Sequence, residues 1–136
     1  MIRYAVAYLS TLLVFLAIDA VWLTTMSQRL YRRYLDDILV DSFNPVPAAL
    51  FYLIYIAGII VFATAPALLT GRWTTATLNG ALYGFFAYAT YDLTNQATIR
   101  GWPTIITLAD ICWGSLLSAV AATLGFLLTR YFLRGA

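Results

Sequence analysis

The sequence contains no histidine, lysine or glutamate, and its single cysteine is Cys112. Because histidine is the commonest metal ligand and the usual proton shuttle near neutral pH, its absence excludes haem ligation by histidine, histidine-based zinc catalysis and Ser-His-Asp hydrolysis. A single thiol also excludes an intrachain disulfide and any multi-cysteine zinc or iron–sulfur site. A bound metal would therefore be a hard, oxygen-liganded cation such as Mg²⁺, Ca²⁺ or Mn²⁺.

Charge of either sign is also scarce. Only 10% of the 136 residues are charged, with a net charge of +2, whereas an ordinary soluble domain is roughly 25% charged. So small a net charge, scattered along the chain, gives no indication of nucleic-acid binding. Hydrophobic residues make up 62% of the chain, and the mean hydropathy is +0.82. A fold of this size cannot bury that much apolar surface, so we predict an all-α integral membrane protein.

Four apolar segments reach the length of about 20 residues that a membrane helix needs. A single domain over 1–136 is expected, built as a bundle of four transmembrane helices. Asn44 and Pro45 are typical of a helix start, Gly71 of a helix end, and Pro66 predicts a distortion inside the second span. The predicted spans are approximately 4–26, 47–69, 75–96 and 103–129.

The segment 26–41 separates apolar from charged side chains at helical spacing. This pattern predicts an interfacial amphipathic helix after the first span, with Arg32 and Asp36 four residues apart and partly neutralising each other. Its charged face is either a solvated anchor or an arginine patch that binds phosphate head groups. The arginines expected on this side of the membrane are Arg29, Arg32, Arg33 and Arg100.

Four spans place both chain ends and the turn at Arg72 on one side of the membrane. The eight arginines then divide equally between the two sides, so the positive-inside rule gives no orientation. We favour cytoplasmic chain ends, and the equal count leaves a dual-topology homodimer open.

Three aspartates lie inside the predicted spans: Asp19, Asp92 and Asp110. An ionisable side chain within a span costs several kcal/mol and by default marks a functional site. Counted from the span ends at 1.5 Å per residue, all three lie roughly 5–12 Å from the membrane boundary opposite the chain ends. We therefore expect their carboxylates to meet in one pocket.

Aromatic and amide side chains accompany these acids. Trp22 and Trp113 each follow an aspartate by three residues, which puts them on the face of that acid. We expect the indoles to wall a cavity and Asn95 to orient a ligand. Each tryptophan alone is equally typical of an interfacial aromatic belt, and Asp92 with Asn95 could cap or bridge helices. The candidate ligand-binding residues are Asp19, Trp22, Tyr88, Asp92, Asn95, Asp110 and Trp113.

Three hypotheses for the function follow, because three unpaired carboxylates in an apolar site cannot all stay ionised. In the preferred one, an aspartate exchanges a proton for a small polar or cationic ligand, which the protein binds or transports. In the second, Asp19, Asp92 and Asp110 hold a divalent cation and the arginines hold a head group, as in a lipid-modifying enzyme or accessory factor. In the third, arginines pair with the acids, and the protein is structural or binds a partner.

The chain gives these hypotheses unequal support. The sequence has no glycine-rich phosphate loop and no acidic motif of the phosphatidyl-transferase type, so the enzyme hypothesis lacks a specific motif. We expect no cofactor other than a divalent cation under that hypothesis. The expected partners are membrane lipids and the small ligand. Because four short helices barely enclose a path, transport would need a homodimer or a large movement.

Small residues recur at four-residue spacing in the last two spans. Gly80 and Gly84 form one such set, and Gly114, Ser118 and Ala122 form another. Small residues at this spacing let helix backbones approach closely. The pattern predicts packing within the bundle, with a dimer contact as the alternative.

Several of these motifs together resemble a known family. The first span has Asp-x-x-Trp at 19–22, the third has YDLTNQAT at 91–98, and Trp-Pro at 102–103 precedes Asp-x-x-Trp-Gly at 110–114. These residues resemble the bacterial membrane family of unknown function DUF2177, over nearly the whole chain. The resemblance implies a small multi-pass protein of the bacterial inner membrane. It carries no established activity, and its motif matches the aspartates, the tryptophans and Asn95.

Overall fold

The computed structural model describes residues 1–134, and within them all regular structure is helical. The described chain forms four long helical segments. They are α1 (Ile2–Leu35), α2 (Pro45–Thr70), α3 (Trp73–Thr98) and α4 (Thr104–Phe132). The predicted all-α class is confirmed.

The helix ends follow the local sequence signals. The side chain of Asn44 caps α2 by accepting a hydrogen bond of 3.2 Å from the backbone N–H of Val46, and Pro45 occupies the first helical position. Gly71 ends α2 with a φ of 69°, a left-handed conformation that glycine adopts without steric cost. Pro103 precedes α4. The residues that typify helix ends in the sequence therefore lie at the ends of α2 and at the start of α4.

Three of the long helices in the described chain, α1, α2 and α4, are long and apolar enough to cross a membrane. This finding agrees with an integral membrane protein that has several membrane-crossing helices. The predicted count of four spans is not confirmed, because α3 is not apolar enough to be a candidate. Its 26 residues include Asn79, Asp92, Asn95 and a series of threonines.

The predicted amphipathic helix over 26–41 is wrong beyond Leu35, because residues 36–41 form turns and bends. The last turns of α1 begin with a π-helical turn at Ser27–Tyr31. Arg32 then folds back: its Nη2 atom donates to the carbonyl oxygen of Val40 over 2.7 Å, and its Nη1 atom lies 3.6 Å from Asp36. The arginine thus holds the chain in a turn after α1.

Helices α3 and α4 pack closely because glycine faces backbone at their contact. A Cβ atom on Gly84 would overlap the carbonyl oxygen of Gly114, and one on Gly80 would overlap that of Ser118. The prediction that the small residues pack within the bundle is confirmed. This contact also turns α4 so that Asp110, one turn before Gly114, is buried.

A second π-helical turn, Ile60–Thr64, precedes Pro66 in α2. Proline has no N–H, so it cannot donate to the carbonyl four residues earlier, which belongs to Phe62. The Nδ2 atom of Asn79 in α3 donates to that carbonyl over 3.0 Å. The predicted distortion at Pro66 is therefore accompanied by a side-chain hydrogen bond from the neighbouring helix.

Candidate functional site

The three aspartates singled out by depth are all buried. Asp92 is 0% exposed, and Asp19 and Asp110 are each 7% exposed. They lie on α3, α1 and α4 respectively, on the sides that these helices turn toward each other. Their surroundings differ, and the differences decide what each acid can do.

Asp19 is fully paired. The Tyr52 hydroxyl of α2 donates to its Oδ2 atom over 2.6 Å, and the Trp113 indole N–H of α4 donates to its Oδ1 atom over 3.3 Å. Each oxygen of this buried side chain therefore has a hydrogen-bond donor, which offsets the cost of its burial. Asp19 therefore links three helices.

Asp110 has one strong donor. The Tyr31 hydroxyl, in the π-helical turn of α1, donates to its Oδ1 atom over 2.5 Å. The same hydroxyl accepts a hydrogen bond of 3.1 Å from the Trp22 indole N–H, since a phenol can donate and accept at once. A relay of two hydrogen bonds thus joins Trp22 to Asp110.

The two Asp-x-x-Trp motifs are linked crosswise. The indoles of Trp22 and Trp113 stack with ring centroids 4.2 Å apart. The Trp113 N–H reaches Asp19 of the first motif, and the Trp22 N–H reaches Asp110 of the second through Tyr31. Both tryptophans are therefore connected to the acids by hydrogen bonds, Trp113 directly and Trp22 through Tyr31.

Asp92 is the exception among the acids. Both of its carboxylate oxygens are buried and accept no hydrogen bond from residues 1–134. The charged group that adjoins Asp92 is the carboxyl of Asp110. Two carboxylates offer only acceptors, so this contact becomes a hydrogen bond only when one of them carries a proton. We call Asp92 and Asp110 the acid pair.

Tyr88 lies beside these acids. Its ring covers Gly114, where a Cβ atom would overlap the ring, and it meets Tyr55 edge-to-face at 6.1 Å. Because Gly114 lies one turn after Asp110, the Tyr88 ring borders the acidic site.

Asn95 makes no such contact. It is half-buried, and its side chain forms no hydrogen bond within the described chain. Its neighbour Gln96 does: the Thr107 hydroxyl donates to its Oε1 atom over 2.8 Å and accepts from the Trp102 indole N–H over 3.2 Å. Thr107 lies one turn before Asp110. The hydrogen-bonded side chains of Trp102, Thr107 and Gln96 therefore cover the site on the side of the 99–103 turn, and the sequence analysis did not identify this role.

The predicted arginine patch stays apart from the acids. In residues 1–134 the one ion pair within 4 Å joins Arg32 to Asp36, so the arginines do not neutralise the buried carboxylates. Arg29, Arg33 and Arg100 are exposed. The ion-pair network of the third hypothesis is therefore not formed.

The three aspartates do not form one metal-ligand set either. Among residues 1–134, no three aspartate, cysteine or other ligating side chains are grouped closely enough to hold one metal ion. Asp92 and Asp110 adjoin each other, whereas Asp19 is joined to them only through Trp113, Trp22 and Tyr31. The expected single pocket is thus a pair of acids plus a third acid linked by aromatic residues.

Two tyrosines that contact the acids were not among the predicted site residues. Tyr31 lies on the apolar face of the segment 26–41, and Tyr52 lies in a span without any acid. Neither position differs in sequence from an ordinary core or interfacial tyrosine. Only the packing of α1 and α2 identifies them.

The family described as "Predicted membrane protein (DUF2177)" matches residues 4–127. The chain belongs to the DUF2177 family. The match includes both Asp-x-x-Trp motifs and Asp92, so the acidic site of this DUF2177 protein lies within the family region. No curated protein and no solved structure matches the chain.

Proposed function

We propose that this DUF2177 protein binds a proton or a small cation at the acid pair and exchanges one for the other, in binding or transport. The observation that carries the proposal is Asp92, whose two buried oxygens have no donor in the described chain while a second carboxyl adjoins them. An ionised, unpaired carboxylate in an apolar interior is costly. Either a proton or a cation removes that cost.

Exchange follows from the same argument. When one proton is shared between Asp92 and Asp110, the two side chains together carry a single negative charge. Asp110 still accepts the hydrogen bond from the Tyr31 hydroxyl in that state. A cation that enters between the two carboxylates makes the proton unnecessary and releases it. Binding of the cation is then coupled to release of the proton in a single exchange equilibrium.

The aromatic residues favour a cation over a neutral ligand. The stacked pair Trp22 and Trp113 presents indole faces, and indole is the ring that attracts cations most strongly. A groove of about 550 Å³ lies beside this stack, lined also by Ile18 and Met26. It offers a small organic cation an approach from the membrane side to the aromatic wall of the site.

We also propose that α3 crosses the membrane and completes a four-helix bundle, in the bacterial inner membrane as the resemblance implies. With 26 residues, α3 has a length of ~39 Å, more than the ~30 Å apolar thickness of a bilayer. Its glycine contact with α4 shields part of its polar surface. Since so small a bundle encloses little space, transport requires a homodimer or a rearrangement of helices.

The experiment begins with the proton. Full-length protein in lipid nanodiscs is examined by infrared spectroscopy for the carbonyl band of a protonated carboxylic acid. The expected result is a band in the wild type and in Asp36→Asn, whose acid is exposed, and loss of the band in Asp92→Asn. Absence of this band from the wild type across the accessible pH range would contradict a shared proton.

The second stage tests exchange. Tetramethylammonium, a small quaternary cation, and Mg²⁺ are added separately, and proton release is followed with a pH-sensitive dye. We expect release from the wild type and Asp36→Asn, and none from Asp92→Asn or Asp110→Asn. Release with Mg²⁺ alone would favour the divalent-cation hypothesis. Release with neither ion would restrict the site to proton binding, and an equal response of all variants would overturn the proposal.

A further inference from the structure

Within residues 1–134, the end of the molecule opposite the acidic site carries arginines and no aspartate. Arg3, Arg72, Arg130 and Arg134 lie at this end, where α1 and α3 begin and α2 and α4 finish. The six aspartates of the chain lie elsewhere. Because no aspartate of the described chain pairs with these four arginines, this end attracts anions.

Three of the four arginines surround one cavity. It has a volume of about 270 Å³ and is lined by Arg3, Arg130 and Arg134 together with Leu68, Thr129 and Leu133. Arg72 does not line it. Arginine is well suited to bind phosphate because its planar guanidinium group offers several N–H donors in a fixed arrangement.

Arg130 is held in place before any ligand arrives. Its Nη1 atom donates to the carbonyl oxygen of Gly71 over 3.2 Å, and its guanidinium carbon lies 5.5 Å from the centre of the Phe126 ring. A guanidinium has five N–H groups, so most of them stay available. A preorganised donor loses less entropy on binding than a mobile one.

An apolar groove adjoins the arginine cavity. It has a volume of about 370 Å³ and is lined by Leu124, Leu127 and Leu128, together with Tyr131. Arg130 and Arg134 line this groove as well as the cavity. The two arginines therefore separate a cationic compartment from one that would accept a hydrocarbon chain.

We propose that this end of the protein binds an anionic phospholipid. The phosphate lies among Arg3, Arg130 and Arg134, and an acyl chain lies along Leu124 and Leu128. Free phosphate would use only the cavity, whereas a phospholipid uses the cavity and the groove. The site lies at the opposite end from the head-group patch expected from the sequence, and it is independent of the acid pair.

The test measures binding of phosphatidylglycerol to the full-length protein by native mass spectrometry from detergent. The central variant is Arg134→Gln, because the Arg134 side chain is exposed and makes no hydrogen bond within residues 1–134. The matched control is Arg72→Gln, which removes the same charge from the same end but outside the cavity. Phosphatidylcholine, a zwitterionic lipid, and inorganic phosphate are the ligand controls.

We expect phosphatidylglycerol to bind the wild type and Arg72→Gln with similar affinity. Arg134→Gln should weaken binding about fivefold, which corresponds to about 1 kcal/mol per arginine near a membrane surface. Arg130→Gln should weaken it at least as much. Phosphatidylcholine should bind more weakly than phosphatidylglycerol, and phosphate should compete poorly because it cannot use the groove.

Two results would overturn the proposal. Equal weakening by Arg72→Gln and Arg134→Gln would show attraction by net charge without a defined site. Displacement of the lipid by inorganic phosphate at comparable concentration would show a phosphate site without a lipid groove. Neither result bears on the acid pair, so the two proposals can fail separately.

Discussion

Trp22 and Trp113 stack almost parallel, with ring planes inclined by 9° and centroids 4.2 Å apart. They come from α1 and α4. The Trp113 N–H donates to Asp19, and the Trp22 N–H donates to the Tyr31 hydroxyl, which in turn donates to Asp110. A displacement of one indole therefore changes the contacts of both Asp19 and the Tyr31–Asp110 relay. The stack makes the acidic site one cooperative unit, and several measurable consequences follow from this arrangement.

The first prediction concerns the hydroxyl that joins Trp22 to Asp110. Tyr31→Phe removes it and leaves the Trp22 N–H and one oxygen of Asp110 without their partner. We expect a loss of roughly 1–3 kcal/mol in stability, the usual cost of an unsatisfied buried polar group. Thermal unfolding in detergent measures it. Tyr34→Phe is the matched control, because Tyr34 is exposed, and it should melt like the wild type.

The second prediction contrasts two buried acids. Asp92→Asn replaces a carboxyl group whose oxygens accept no hydrogen bond with an amide that can donate to Asp110 without a shared proton. The melting temperature should therefore stay unchanged or rise. Asp19→Ala leaves the Tyr52 hydroxyl and the Trp113 N–H unpaired, at a cost of roughly 1–3 kcal/mol each. A large loss of stability in Asp92→Asn would indicate a structural role for that acid.

The third prediction tests the glycine contact between α3 and α4. Gly84→Ala places a methyl group against the Gly114 carbonyl oxygen, which is backbone and cannot rotate away. Overpacking of this kind costs about 1–3 kcal/mol. The melting temperature should fall, whereas Leu78→Ala on the exposed side of α3 should change it little. If Gly84→Ala melts like the wild type, the helices do not approach as closely as described.

The fourth prediction concerns the carbonyl that Pro66 leaves free. Asn79→Leu removes the donor to the Phe62 oxygen and should destabilise the protein. In a Pro66→Ala background the backbone N–H of residue 66 can donate to the Phe62 oxygen. Asn79→Leu should therefore reduce the stability less in that background. A double-mutant cycle measures the coupling, which we expect near the ~0.6 kcal/mol typical of side-chain hydrogen bonds in membrane proteins. A coupling energy of zero would show that the stabilising effect of Asn79 does not depend on Pro66.

The sequence predicted most of the fold because its signals are local. Asn44, Pro45 and Gly71 mark helix ends through their own side chains and backbone preferences. The extension of the helix after Leu35 was wrong because apolar spacing alone does not reveal that Arg32 folds back onto the turn that follows. The hydrogen bond from Arg32 to Val40 depends on how the chain folds after the helix, so local spacing does not predict it although the two residues are near in sequence.

The acids of the site were predictable from depth, but their donors were not. Tyr31 follows Trp22 by nine residues, which in a regular α-helix places it about 180° around the axis, on the opposite face. The π-helical turn brings it back toward the same side. Asn95 was chosen by spacing from Asp92, yet Gln96 forms the hydrogen bonds, because the helix turns that neighbour toward Thr107.

The π-helical turn Ser27–Tyr31 has a consequence for chain length. A wide turn holds one residue more than an α-helical turn while the helix before and after it keeps its direction. A one-residue deletion at Gln28 should therefore restore regular geometry and still aim the phenol at Asp110. The same deletion between Asp19 and Trp22 would rotate everything that follows by about 100°. Insertions and deletions among homologues should accordingly be accommodated in this turn.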